Sequence, residues 1–217
     1  MTQKITALSH SKHRNMIGFV GIEVDENLIV HVKVAKQWSR NEINQIPQDL
    51  KDAHDKIKWN KLYVDQVIGE HFIKSLKQHD LSVKVITTKK NLDEPDDIDR
   101  LLVMDKIEMT QLMLSLKLDH RIQFPTNPGS TMKEAISQVE LFTEHKTEAG
   151  GIDYYSPGDE LDSLTKSLMI CCFAVRRILS GDDGSYVGGT LGKAKYSSFI
   201  DEPTPLDSNG MSVSDYR

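Results

Sequence analysis

Cysteine is nearly absent: two occur in 217 residues, and they are the adjacent pair Cys171 and Cys172. Neighbouring cysteines inside an apolar helical run build neither a disulfide framework nor a zinc site, so they read as small core residues. Long hydrophobic runs are missing as well. No stretch approaches the ~20 apolar residues that span a bilayer, and the N-terminus lacks the apolar run of a secretory signal, which together imply a cytoplasmic protein with no membrane partner. An excess of basic charge is lacking too. The 27 Lys and Arg stand against 32 Asp and Glu, a formal charge of -5, which excludes an indiscriminate nucleic-acid coat. It leaves room for a carboxylate site that bound divalent cations neutralise. Several motifs have no counterpart in the chain: the phosphate-binding Gly-x-x-x-x-Gly-Lys-Ser/Thr loop, a His-Glu-x-x-His pair among the eight histidines, a Gly-x-Ser-x-Gly turn, and a glycine fingerprint after the first strand. Their absence removes the nucleotide motor, zinc hydrolase, serine hydrolase and dinucleotide-binding classes.

The apolar residues, 38% of the chain, are concentrated between positions 15 and 180. Residues 1–14 are polar, with Lys4, Lys12, His13 and Arg14, and read as a flexible N-terminal segment; residues 181–217 are rich in Gly, Ser and Pro and read as a disordered tail. The interval 15–180 is thus expected to be one α/β domain. It opens with two β-branched runs, Met16 to Val24 and Leu28 to Ala35, joined by Asp25-Glu-Asn27, which predicts a hairpin with Phe19, Gly21, Glu23 and Asp25 on one face. A helix broken near Pro47 follows over about 40–58. Then Lys61 to Asp65 reads as a strand, Ile68 to Leu76 as a helix and Leu81 to Thr87 as a strand, a β-α-β unit of the kind that makes a parallel sheet. Acidic residues 93–99 read as the solvated start of a helix reaching Leu116, and further helices are expected over about 131–142 and from Pro157 to Ile178.

Three acidic sites lie at element edges rather than in charge runs: Glu23 on the first predicted strand, Asp65 at the end of the β-α-β strand, and Asp159 with Asp162 at the start of the last helix. In an open α/β sheet, residues at the carboxyl ends of neighbouring strands converge on one crevice, so distant carboxylates can meet there. Such a cluster suits phosphodiester hydrolysis by two metal ions, because hard oxygen ligands hold Mg²⁺ or Mn²⁺ about 3.5–4 Å apart around the attacking and leaving oxygens. Each carboxylate also has a bland reading. Asp65 and Asp159 serve equally as helix caps, and Glu23 as an exposed strand residue. Trp38 and Trp59 read as packing residues, and scattered lysines such as Lys84, Lys89, Lys90 and Lys106 as surface or a phosphate track.

The run from Met16 to Lys36 resembles the opening hairpin of RNase H-like nuclease domains, with Gly21-Ile22-Glu23 where Gly-Ile-Asp is usual. Lys61 to Leu76 resembles that family's strand, aspartate, glycine and helix. Asp105-Lys-Ile-Glu108, Ile122 to Pro125 and Gly158-Asp-Glu-Leu-Asp-Ser-Leu164 follow the order of the nuclease domain of phage and viral terminase large subunits, whose last helix begins with an Asp-Asp-x-x-Asp-Ala-type signature. Over residues 16–179 the resemblance implies an RNase H-like fold: a mixed central sheet with an opening β-hairpin, flanked by helices. It also implies a DNA endonuclease using two Mg²⁺ or Mn²⁺ ions, with Glu23, Asp65 and Asp159 as principal ligands and Asp25 and Asp162 as substitutes. DNA, a separate packaging ATPase and portal-type proteins are the implied partners, since no motor domain precedes Met16. The rival is a catalytically inactive domain of the same fold, serving as a nucleic-acid-binding or assembly module.

Overall fold

The computed structural model describes residues 3–11, 15–87, 100–102, 106–146, 152–155 and 162–179. The first strand, β1 (Gln3–Ser11), lies where the sequence suggested a flexible segment. That expectation is overturned because Ile5, Ala7 and Leu8 are fully buried, and Thr6, Ser9 and Ser11 are polar side chains small enough to be buried with them. β1 pairs antiparallel with β2 (Met16–Val24), which pairs antiparallel with β3 (Val30–Ser39), so the predicted hairpin is present but is the second and third strand.

After a helix α1 (Ile46–Ile57), started with Pro47 in its first turn, the chain forms the expected β-α-β unit. It comprises β4 (Leu62–Asp65), α2 (Glu70–Gln78) and β5 (Val83–Thr87), with β4 parallel to both β1 and β5. Gly69 opens α2 at φ 98°, a left-handed backbone that other residues rarely adopt. Residues Arg100–Leu102 form a short edge strand β6 parallel to β5, where the sequence suggested helix, and helix α3 runs over Lys106–Leu118. The short strand β7 (Ile122–Gln123) adds parallel to β3. Helix α4 (Ser130–Leu141), an antiparallel ribbon of β8 (Thr143–Lys146) and β9 (Ile152–Tyr155), and helix α5 (Ser163–Leu179) complete the described chain.

The main sheet has the order β6-β5-β4-β1-β2-β3-β7, in which only β2 runs against the others. Its two faces bury separate cores. On one, Ile5, Ala7, Val20, Ile22, Val24 and Tyr63 pack under α5, α3 and α4; on the other, Leu8, Ile17, Phe19, Leu62 and Val64 pack against α1 and α2. Helix α5 is apolar nearly all round, with Leu164, Leu168, Cys171, Phe173 and Ala174 at most 2% exposed, as befits a helix laid across the sheet centre. Burial lifts the Cys171 thiol well above its usual range and pushes that of Cys172 up to about 12, consistent with inert core residues. Trp38 and Trp59 flank Phe19 in the other core, so both are packing residues. Lys84 is buried in β5 rather than on the surface. The tail beyond residue 180 and the acidic run 93–99 lie outside the described residues.

Candidate functional site

The parallel strands β1, β4 and β5 bring their carboxyl ends to one edge of the sheet, where β2 begins and the first turn of α5 descends. Gly18 on β2 sets that approach. A Cβ at this position would lie 2.6 Å from the Ser163 carbonyl carbon and 2.8 Å from Leu164 N, so only glycine lets the start of α5 press on the strand. Polar contacts lock it there. Ser167 Oγ donates to the Gly18 carbonyl at 2.7 Å, Gln37 Nε2 donates to Ser163 Oγ at 2.9 Å, and Leu164 N donates to Gln138 Oε1 at 2.9 Å. The last bond satisfies, from α4, one of the free N–H groups of the α5 N-terminus.

Two of the carboxylates expected from the sequence are placed at this edge. Asp65 ends β4, and both its oxygens are engaged: Val67 N donates to Oδ1 at 3.1 Å, a cap on the following short 3-10 turn, and Ser9 Oγ donates to Oδ2 at 3.1 Å. Asp162 directly precedes α5, is 5% exposed, and places Oδ2 at 2.7 Å from the Lys166 ammonium, while its Oδ1 is buried without a partner. Ser9 lies between them. Its β2 neighbour is Gly18, against which α5 starts, and its hydroxyl reaches Asp65 at the end of β4, so the start of α5 and Asp65 lie on opposite sides of β1. His10, whose ring nitrogens are buried without partners, stands within electrostatic reach of both. Burial first, then the Arg40 charge, holds its imidazole below the usual range, with Asp65 pulling the other way, Lys166 reinforcing the fall and Asp162 opposing it.

Glu23 does not join this group. It is abreast of Lys4 while Gly18 is abreast of Ser9, five residues along the strand, which amounts to about 17 Å toward the opposite edge. It also lies between Ile22 and Val24, which face α5, so its own side chain points to the α1 side, where it meets Lys33 at 3.3 Å and Lys4 at 3.9 Å. Glu23 is not brought to the Asp65 edge, because the strand carrying it runs antiparallel to β1. Asp25 lies at that far end too: its carboxylate closes the β2–β3 turn, accepting from Asn27 N and Ile29 N and pairing with His31. Those hydrogen bonds, Ile29 N foremost and then His31, hold the Asp25 carboxyl below its usual range. Asp159 lies outside the described residues.

Among the described residues no three His, Cys, Asp or Glu side chains converge as a metal site would require. The donors that do meet fit a two-metal centre poorly. Asp65 is occupied by two hydrogen bonds, Asp162 holds an ammonium, and the first-strand residue beside Asp65 is a serine.

No family model and no curated protein matches the sequence. Solved structures do. The nuclease of the large terminase from thermophilic phage G20c, solved with bound magnesium, superposes with a TM-score of 0.60 at 12% identity, over 79% of this chain and 81% of that one. This chain has the fold of a large-terminase nuclease domain. The Thermus phage P74-26 large terminase nuclease domain gives a TM-score of 0.57 at 12% identity, covering 78% of each chain. The HK97 bacteriophage large terminase gives 0.56 at 10% identity over 80% of this chain and 40% of that one, so the likeness is to part of that longer protein. The mixed sheet flanked by helices is the RNase H-like arrangement that the resemblance implied.

Sequence reasoning missed Ser9, His10, Gly18 and Lys166. Lys166 carried a usable signal, since it stands four residues after Asp162, the spacing at which helical side chains meet. Ser9 and His10 were out of reach once β1 was taken for a tether.

Proposed function

We propose that this terminase-nuclease-fold chain is a nucleic-acid-binding module of a DNA-packaging type of assembly, and that it does not cut DNA itself. The observation that carries the reading is the side chain beside Asp65 on the first strand: it is the hydroxyl of Ser9, and the acidic residue expected there from the sequence, Glu23, is at the far edge. Two-metal hydrolysis depends on anionic oxygens shared between two cations, and a neutral serine does not supply one. The same edge carries Arg40, an exposed cation that suits phosphate contacts without any metal. DNA is the partner on this reading, with a separate packaging ATPase supplying any motor.

The test is supercoiled plasmid incubated with the full chain and Mg²⁺ or Mn²⁺, with and without chelator. The expected result is no nicking in any lane, with a gel-retarded complex that survives chelator and weakens with salt. Metal-dependent nicking that Asp65→Asn abolishes would refute it. One observation favours a second reading, the metal-dependent endonuclease: the partnerless Asp162 Oδ1, buried at the edge that carries Asp65. On that reading Asp65 and Asp162, completed by Asp159, would hold Mg²⁺ or Mn²⁺, which would activate water and stabilise the leaving oxygen.

A further inference from the structure

We infer that Lys166 supplies, from within the chain, the positive charge that divalent metal supplies in a two-metal site, so that the buried Asp162 carboxylate is compensated without metal. The inference rests on the non-cutting reading for its functional meaning, but it is tested by metal binding alone.

The argument starts at Asp162. A carboxylate that is 5% exposed needs a counter-charge or it disfavours the fold, and a solvated surface partner would not serve. Lys166 lies one helical turn further along α5, its ammonium 2.7 Å from Asp162 Oδ2, and is itself mostly buried, with 20% of its side chain exposed. The pair is pre-set by the backbone, because Lys166 N also donates to the Asp162 carbonyl at 2.9 Å. A divalent cation would have to displace this ammonium or sit beside it against direct repulsion.

Ser9 makes the substitution consistent. An aspartate there would add a third negative charge beside Asp65 and Asp162, one more than Arg40 and Lys166 carry between them. With serine, the hydroxyl donates to Asp65 instead. Among the described residues, the carboxylates acting on His10 are Asp65 and Asp162 and the cations are Arg40 and Lys166. A two-metal centre has the opposite balance, an excess of carboxylate that only dications relieve.

The experiment measures free Mn²⁺ by its electron paramagnetic resonance signal in the presence of the full chain. The wild type is expected to leave the signal undiminished, whereas Ser9→Asp with Lys166→Met takes Mn²⁺ up and releases it to chelator. Wild-type uptake that Asp162→Asn removes would overturn the inference, as would a double variant with wild-type circular dichroism that binds no Mn²⁺. Should the double variant not fold, Lys166→Gln alone is expected to bind Mn²⁺ at least about tenfold tighter than the wild type, and equal binding overturns the inference. Loss of DNA retention in an otherwise metal-free protein would count against the nucleic-acid-binding reading and leave this one standing.

Discussion

Replacing Gly18 by alanine tests the packing that positions the site. The added methyl would lie 2.6 Å from the carbonyl carbon of Ser163, 2.7 Å from its oxygen and 2.8 Å from Leu164 N. These are roughly 1 Å inside the ~3.5–4.0 Å optimum for non-bonded atoms. All three neighbours are backbone, so no side chain can rotate away and the first turn of α5 must move. Overpacking of a tight core costs about 1–3 kcal/mol. For a domain of this size each kcal/mol lowers the melting temperature by about 2–4 °C, so a fall of about 2–12 °C is expected. The sign is itself informative, because glycine-to-alanine at an unstrained site stabilises by up to ~1 kcal/mol through the unfolded chain. Gly129→Ala is the steric control, since nothing lies within 4 Å of its added methyl; as Gly129 caps the N-terminus of α4, where alanine is the poorer cap, a loss of at most about 1 kcal/mol is expected there. Thermal denaturation by circular dichroism reads both. If Gly18→Ala melts within a degree of the wild type or higher, the close approach of α5 to β2 is wrong, and with it the placement of Asp162.

Other outcomes follow from the same geometry. Asp65→Asn keeps an acceptor for Val67 N and a partner for Ser9, so it should cost at most about 1 kcal/mol in urea denaturation; a loss of several kcal/mol would mean that the charge itself is needed. Lys166→Met keeps the packed stem and removes the ammonium, leaving Asp162 uncompensated. Breaking a fully buried pair costs about 3–5 kcal/mol, and discounted for the partial exposure of Lys166 the expected loss is about 1–3 kcal/mol. An unchanged denaturation midpoint would show the pair to be incidental. His10 has a folded-state pKa below its ordinary 6.5, chiefly through burial, so it favours the fold in its neutral form. Its contribution is complete above pH 6.5 and is lost as pH falls through the lowered value; His10→Gln should flatten that part of the stability profile, and an unaltered profile would contradict it.

Much of the fold was legible because most strands alternate cleanly. The β2–β3 hairpin declared itself through β-branched runs around a three-residue turn, and β4-α2-β5 through a strand, a glycine and an amphipathic helix. β1 did not, because its inward positions include Ser9 and Ser11, buried polar side chains that read as surface in sequence. That single omission displaced the site. Taking β2 for the first strand transferred the expected ligand from the Ser9 edge to Glu23, and an antiparallel neighbour carries such an error to the other end of the sheet. The place of Asp65 at a strand end was legible because a strand-terminal aspartate before a turn is recognisable locally. The segment around Leu101 was ambiguous for a different reason: three apolar-rich residues fit a helix start as well as the edge strand β6, and only pairing with β5 decides.

The most direct measurement is anomalous diffraction from crystals of the full chain soaked in MnCl₂. The expected map has no manganese peak on Asp65 or Asp162, with the Lys166 ammonium remaining on the Asp162 carboxylate. One or two peaks bridging those carboxylates, with Lys166 turned aside, would contradict the non-cutting reading and restore the metal-dependent nuclease.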